Sequence, residues 1–113
     1  MVATAQGLTP TRAEVWGCAV PRVGPRSVVI LTVNRIAEPL SAVTVALVTG
    51  SAGPATTHVR IGPEAGVTKY DESFVNCTDL HTVDKSHLRR RLGRLAPVEM
   101  RTVESNLRGV LGL

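Results

Sequence analysis

Two aliphatic runs, Val28–Val33 and Val43–Val48, constrain this chain more than any other feature. Each is rich in β-branched side chains and nearly free of polar alternation, the pattern of a strand buried on both faces. The nine residues between them, Asn34 to Ala42, include Pro39. That connection is long for a hairpin and too short for a helical crossover, so the two strands are expected to be antiparallel neighbours. The first run is unbroken only from Val28 to Leu31. A membrane-spanning helix needs ~20 apolar residues, so none is expected.

Shorter strand candidates flank this pair. Ala13–Cys18 centres on Val15 and Trp16, and Ser73–Cys77 forms a fifth segment. Thr57–Ile61 alternates, which points Thr57, Val59 and Ile61 inward and His58 and Arg60 outward. Pro21 and Pro25 bracket a loop that ends at Arg26. Lys85–Arg91 reads as one or two helical turns and Leu92–Leu95 as a short strand. Pro97 then opens the clearest helix, where proline suits the first position and Glu99 complements the N-terminal dipole. Met100, Val103, Leu107 and Val110 form its apolar stripe, and Gly112 stops it. Residues 1–11 are expected to be a loose leader and residues 12–113 a single domain, consistent with a length of 113 residues. The fold class is therefore mainly β with a C-terminal helix, a small and partly open barrel.

Composition narrows the function. Trp16, Tyr70 and Phe74 are the only aromatics, too few for a platform of rings stacked on single-stranded bases. Residues 1–83 carry six basic and six acidic side chains, whereas residues 84–113 carry seven and three, which accounts for the net charge of +4. This balance permits a polyanionic partner. Cys18 and Cys77 are far apart and fit small buried apolar residues of a reducing cytoplasm. With the histidines they have no metal-ligand spacing, so neither metal nor other cofactor is expected. No basic start followed by an apolar stretch marks a signal peptide. Arg89–Arg91 is the densest charge. It could attract a phosphate backbone or an acidic peptide tail, but a solvated helical turn is favoured, since consecutive helical residues point in different directions.

Five blocks in order give the chain a resemblance. RAEVW (Arg12–Trp16), GPRSVVILT (Gly24–Thr32), VTVALVT (Val43–Thr49), ESFVNCTDLHTVDKSHLRRRLGRL (Glu72–Leu95) and a terminal amphipathic helix resemble the MazF/PemK family of toxin–antitoxin endoribonucleases, from about Arg12 to Leu113. The resemblance implies the SH3-like barrel of plasmid-maintenance toxins, usually as a homodimer. It implies metal-independent, sequence-specific cleavage of single-stranded RNA, mainly messenger RNA, and an antitoxin partner whose acidic, flexible tail covers the RNA groove. In that family an arginine preceding the second strand and a threonine ending the third carry the active site, which match Arg26 and Thr49. Ser73, Asn76 and Asp79 match positions that often line the RNA groove. His58 and His81 are added as RNA-binding candidates, and are also weighed as an acid–base pair.

The residues themselves agree with the first pairing. The start of one antiparallel strand lies beside the end of the next, so Arg26 and Thr49 can reach one patch. A guanidinium fork and a hydroxyl suit a phosphodiester attacked by its own ribose 2′-hydroxyl, because charge grows on the non-bridging oxygens. Three departures from the family stand out. Ala13 replaces the usual glycine, Ser27 the usual proline, and the loop Gly17–Pro25 is short and without an acid. The last departure leaves the general base unassigned. Two rivals remain: a gyrase-binding toxin of the same fold with no chemistry, and a decayed relative that only binds antitoxin. The first type resembles chains ending Trp-Gly-Ile, whereas this one ends Leu111-Gly112-Leu113.

Overall fold

A computed structural model describes residues 9–113. They form six strands, β1 (Glu14–Val20), β2 (Gly24–Ile30), β3 (Ala42–Thr49), β4 (His58–Ile61), β5 (Ser73–Asp84) and β6 (Leu88–Arg94). All belong to one antiparallel sheet ordered β4-β5-β3-β2-β1-β6. A short helix α1 (Asn34–Ala37) lies in the connection between β2 and β3, and the long helix α2 (Pro97–Leu111) comes last. Of the leader expected over residues 1–11, the first eight lie outside the described residues. In the remainder Pro10 is buried and the Thr11 amide donates to Glu14 Oε1 at 2.7 Å.

The two valine-rich runs fall in β2 and β3, paired with Val28 opposite Leu47 and Ile30 opposite Val45, though β2 starts earlier, at Gly24, and ends at Ile30, which leaves Leu31 to Val33 outside it. Alternate residues feed opposite sides of the sheet. Val29, Ala46 and Val48 pack with Met100 and Val103 of α2, whereas Val28, Ile30, Val45 and Leu47 pack with Trp16 and with Ala37 of α1. Having a core on each side removes any need for polar alternation. Helix α2 follows its stripe over three of the four expected positions, with Met100 and Val103 buried and Leu107 half-buried, whereas Val110 is exposed. Glu99 accepts from the Ala96 amide at 2.7 Å and from the Gly62 amide at 2.6 Å, so one carboxylate caps the helix and pins the end of β4.

Several local expectations change. Lys85–Arg91 is not helical as a whole: only Lys85–His87 makes a 3₁₀ turn, and β6 begins at Leu88. The arginine tract is extended because it pairs with β1, Arg90 opposite Gly17 and Arg91 opposite Trp16. Backbone pairing to the edge of β1 outweighs the helical propensity of the tract. The span Gly17–Pro25 is mostly a hairpin, with only residues 21–23 forming its turn. Strand β5 runs seven residues beyond Cys77.

That extension contains the sheet's main irregularity. Ala46 lies opposite Leu80, but the next residue, Leu47, lies opposite Asn76. Three residues of β5, Cys77 to Asp79, thus have no partner on β3, and a slip of odd length exchanges the faces. Val75 and Cys77 point to the α2 side, and Val83 to the other.

The sheet's edge strands, β4 and β6, are joined by packing rather than by a ladder. The 3₁₀ turn Pro63–Ala65 that follows β4 lies on β6. A Cβ on Gly93 would stand 2.1 Å from the Glu64 carbonyl oxygen. This close approach rolls the sheet toward the partly open barrel that was expected. Among the described residues no helix is long and apolar enough to cross a membrane.

Candidate active site

Register decides which side chains meet. The β2–β3 ladder ends with Val28 opposite Leu47, and Arg26 lies two residues before Val28 as Thr49 lies two residues after Leu47, so both fall on the face of that pair. Thr49 lies opposite Phe74 on β5, and Leu47 opposite Asn76. Opposed residues share a face, so Arg26, Leu47, Thr49 and Asn76 emerge together at the end of the layer built on Trp16 and Val28. With Asp79, Lys69 and Tyr70 they line a cleft of about 270 Å³.

Each polar group in the cleft has a defined state. Arg26 is exposed, and its Nη1 donates to its neighbour's carbonyl, Pro25 O, at 3.0 Å. Thr49 Oγ1 accepts from the Ser51 amide at 3.2 Å, leaving its proton to donate. Asn76 Oδ1 accepts from the Thr78 amide at 3.0 Å and from Thr78 Oγ1 at 2.7 Å, within the bulge. This local turn occupies the side-chain carbonyl and leaves the amide hydrogens for a ligand. Asp79 Oδ1 lies 2.7 Å from His81 Nε2. The wall opposite the sheet is Tyr70, whose ring lies against Gly50: a Cβ there would stand 2.4 Å from the ring. Lys69 Nζ sits 5.5 Å from the ring centre.

Not every candidate joins the cleft. Ser73 is buried on the opposite face, with Val75 and Cys77, because it is an odd number of residues from Asn76. This corrects the grouping of Ser73 with Asn76 and Asp79 on one groove. His58 lies across the ladder from Asn76 but borders a separate depression beside Val98, Glu99 and Thr102 of α2. Its Nδ1 is 2.8 Å from Thr57 Oγ1. His81 reaches the cleft only through Asp79, so His58 and His81 do not meet as an acid–base pair. Sequence reasoning missed Lys69 and Tyr70. They sit in the irregular connection before β5, where periodicity carries no information, and the rarity of aromatics was the sole signal.

The arrangement gathers donors round a place for an anion. Arg26 offers a planar fork, Thr49 a hydroxyl, Asn76 an amide and Lys69 an ammonium, with Asp79 as the acceptor. Thiol chemistry is not part of it. Burial pushes the Cys18 thiol up to about 11, against the opposing pull of nearby Arg89, and burial also raises Cys77. Neither is a nucleophile near neutral pH.

Comparison with known proteins places these features in a family context. Residues 11–111 match the family model described as PemK-like, MazF-like toxin of type II toxin–antitoxin system. A "Probable endoribonuclease MazF5" of Mycobacterium tuberculosis is 32% identical over 94 residues, covering 83% of this chain and 85% of the relative. A "Probable endoribonuclease MazF2" of the same organism is 29% identical over 101 residues, covering 89% and 97%. Among solved structures, "Endoribonuclease in complex with its cognate antitoxin from Mycobacterial species" superposes with a TM-score of 0.82 at 26% identity, covering 92% of this chain and 96% of that one.

Proposed function

Since the chain belongs to the PemK/MazF-like toxin family of type II toxin–antitoxin systems, we propose that it is an endoribonuclease toxin that cuts single-stranded RNA at a short recognition sequence. The observation that carries this reading is the cleft shared by Arg26 and Thr49 on neighbouring strands. Messenger RNA is the expected substrate. The protein acts in the cytoplasm as a homodimer, held in check by an antitoxin with an acidic, flexible tail.

In this reading the ribose 2′-oxygen attacks the adjacent phosphorus, and the bond from phosphorus to the 5′-oxygen breaks. The products are a 2′,3′-cyclic phosphate and a 5′-hydroxyl. Negative charge grows on the two non-bridging oxygens, where the Arg26 guanidinium neutralises it and the Thr49 hydroxyl adds a hydrogen bond. A guanidinium offers donors and no acceptor, so Arg26 cannot take the proton from the 2′-oxygen. Asn76 and Asp79 lie where they can hold the RNA beside the cut through base-edge hydrogen bonds. The gyrase-binding rival gains nothing from Trp16, which is fully buried with its Nε1 donating to Glu14 Oε1 at 3.1 Å.

End-labelled RNA incubated with the protein in excess EDTA tests the reading. Cleavage is expected to persist and to leave cyclic-phosphate ends. Removing one charge-stabilising donor costs roughly 3 kcal/mol, so Arg26→Ala should lose at least about a hundredfold in rate, and Thr49→Ala should also be impaired. Full activity in both variants would move the site elsewhere, and loss of cutting in EDTA would overturn the metal-independent chemistry.

A further inference from the structure

The loop that follows Thr49 joins β3 to β4, and residues 50–56 are all exposed. Gly50 and Gly53 give it wide conformational freedom. Yet the Ser51 amide within it donates to Thr49 Oγ1 at 3.2 Å. Where the loop lies therefore sets where the Thr49 hydroxyl points. Contacts with the body of the domain fix it: Tyr70 lies against Gly50, Asn106 Nδ2 of α2 donates to the Ala55 carbonyl at 2.9 Å, and the Cys77 amide donates to the Thr57 carbonyl at 2.8 Å.

Between these points the loop rests on His58, the first residue of β4. A Cβ on Gly53 would stand 2.5 Å from the ring's Cε1, 2.8 Å from its Cγ and closer still to its Nδ1. Three ring atoms at such similar distances mean that Gly53 covers the face of the imidazole, not its edge. The edge is held separately, with Nδ1 2.8 Å from Thr57 Oγ1. That hydroxyl donates its single proton to the Pro54 carbonyl at 3.2 Å, so Nδ1 supplies the hydrogen between ring and threonine. Pro54 O also accepts from the Thr57 and His58 amides at 3.0 and 2.9 Å, a turn that brings the chain back onto the ring.

We propose that His58 is a positioning residue: its ring is the platform on which the loop after Thr49 closes, and through Gly53 and Ser51 it aims the Thr49 hydroxyl at the scissile phosphate. The inference rests on the endoribonuclease reading and adds to it a residue from outside the cleft. His58 borders the depression beside α2 and does not line the cleft, so its influence travels through the loop. Strand alternation turns it away from the core that holds Val59 and Ile61, and the loop covers it there. With one face under Gly53, the ring serves as a support, whereas stacking on a base would need that face open. A hydroxyl that must meet charge as it grows on a phosphate oxygen works best when it is held in place beforehand.

Steady-state cleavage of RNA by three variants tests the platform. His58→Ala removes it, His58→Phe keeps a ring, and Gly53→Ala drives a methyl into the ring from the loop side. His58→Ala and Gly53→Ala are each expected to lower kcat about tenfold with KM within about twofold, and His58→Phe to keep kcat within about threefold of wild type. Single-turnover cleavage in a Thr49→Ala background, with enzyme in excess so that slow cutting is measurable, isolates the route. Without the hydroxyl to aim, His58→Ala should cost nothing further, because residues acting through one another are not additive. Circular dichroism and thermal melts establish that each variant is folded. A raised KM with unchanged kcat would make His58 an RNA contact, and equal losses with and without the Thr49 hydroxyl would make it a structural residue only. Either result overturns the proposal, as does wild-type kcat in both His58→Ala and Gly53→Ala, or full activity in Thr49→Ala. The nuclease still stands after any of these if wild-type protein cuts the RNA, whereas no cutting by wild-type protein overturns both.

Discussion

Arg22 and Ala13 are the two described residues other than glycine with positive φ, at 68° and 74°. Left-handed backbone costs a side-chain-bearing residue roughly 1–2 kcal/mol, part of which a glycine returns through its larger unfolded-state entropy. Arg22 is exposed in the β1–β2 turn, so nothing else is lost on its replacement. Arg22→Gly is expected to stabilise by about 0.5–1 kcal/mol and raise Tm by a few degrees in a thermal melt. Ala13 shows the same strain at the position where the family resemblance expects glycine. Its methyl, however, is buried in the core beneath α2, where a methyl contributes about 0.8 kcal/mol. Ala13→Gly should therefore be close to neutral. A lower Tm for Arg22→Gly would show that the turn is held by its side chain instead.

At the scale of elements, the site is made by where β3 ends and how the connection before β5 returns over it. Gly50 follows Thr49 directly and leaves room for the Tyr70 ring. Gly50→Ala places a methyl 2.4 Å from that ring, and the ring must shift because the adjacent backbone is held by the β3–β5 ladder. The variant should melt within a few degrees of wild type yet cleave RNA roughly tenfold more slowly, since small displacements of site groups carry large rate costs. Wild-type activity would remove Tyr70 from the working wall. Features of β5 and of the 3₁₀ turn that follows it had no local signature. The Asn76 turn and the three unpaired residues depend on which partner β5 finds, and so does the face on which Asn76 emerges. Lys85 is fully buried with Nζ donating to the Glu38 carbonyl at 3.0 Å, a placement no charged residue in a basic segment advertises. By contrast α2 was readable from its stripe, because its core face depends only on helical spacing.

Across the whole molecule, Glu14 ties three regions together. It is buried on β1 and accepts from the Thr11 amide before the strand, from Trp16 in the core and from Arg91 on the edge strand at 3.0 Å. Burial acts to raise its pKa, but these hydrogen bonds prevail and hold it below the ordinary 4.5. A carboxyl depressed by folding contributes stability that is complete above its unfolded value and is lost as pH falls through the folded value. Urea unfolding between pH 7 and pH 3 should thus show stability dropping below about pH 4.5, with a shallower drop in Glu14→Gln. Equal slopes would assign acid unfolding to other carboxylates. The sequence by itself determined the paired two-sided strands, the helix stripe and the adjacency of Arg26 to Thr49, because each follows from local spacing and the period of a strand. Only the tertiary structure decided that Ser73 turns away, that Lys69 and Tyr70 wall the cleft and that the arginine tract runs extended along β1. Those outcomes hang on a register slip and on the path of an irregular connection, which are settled by contacts between residues distant along the chain.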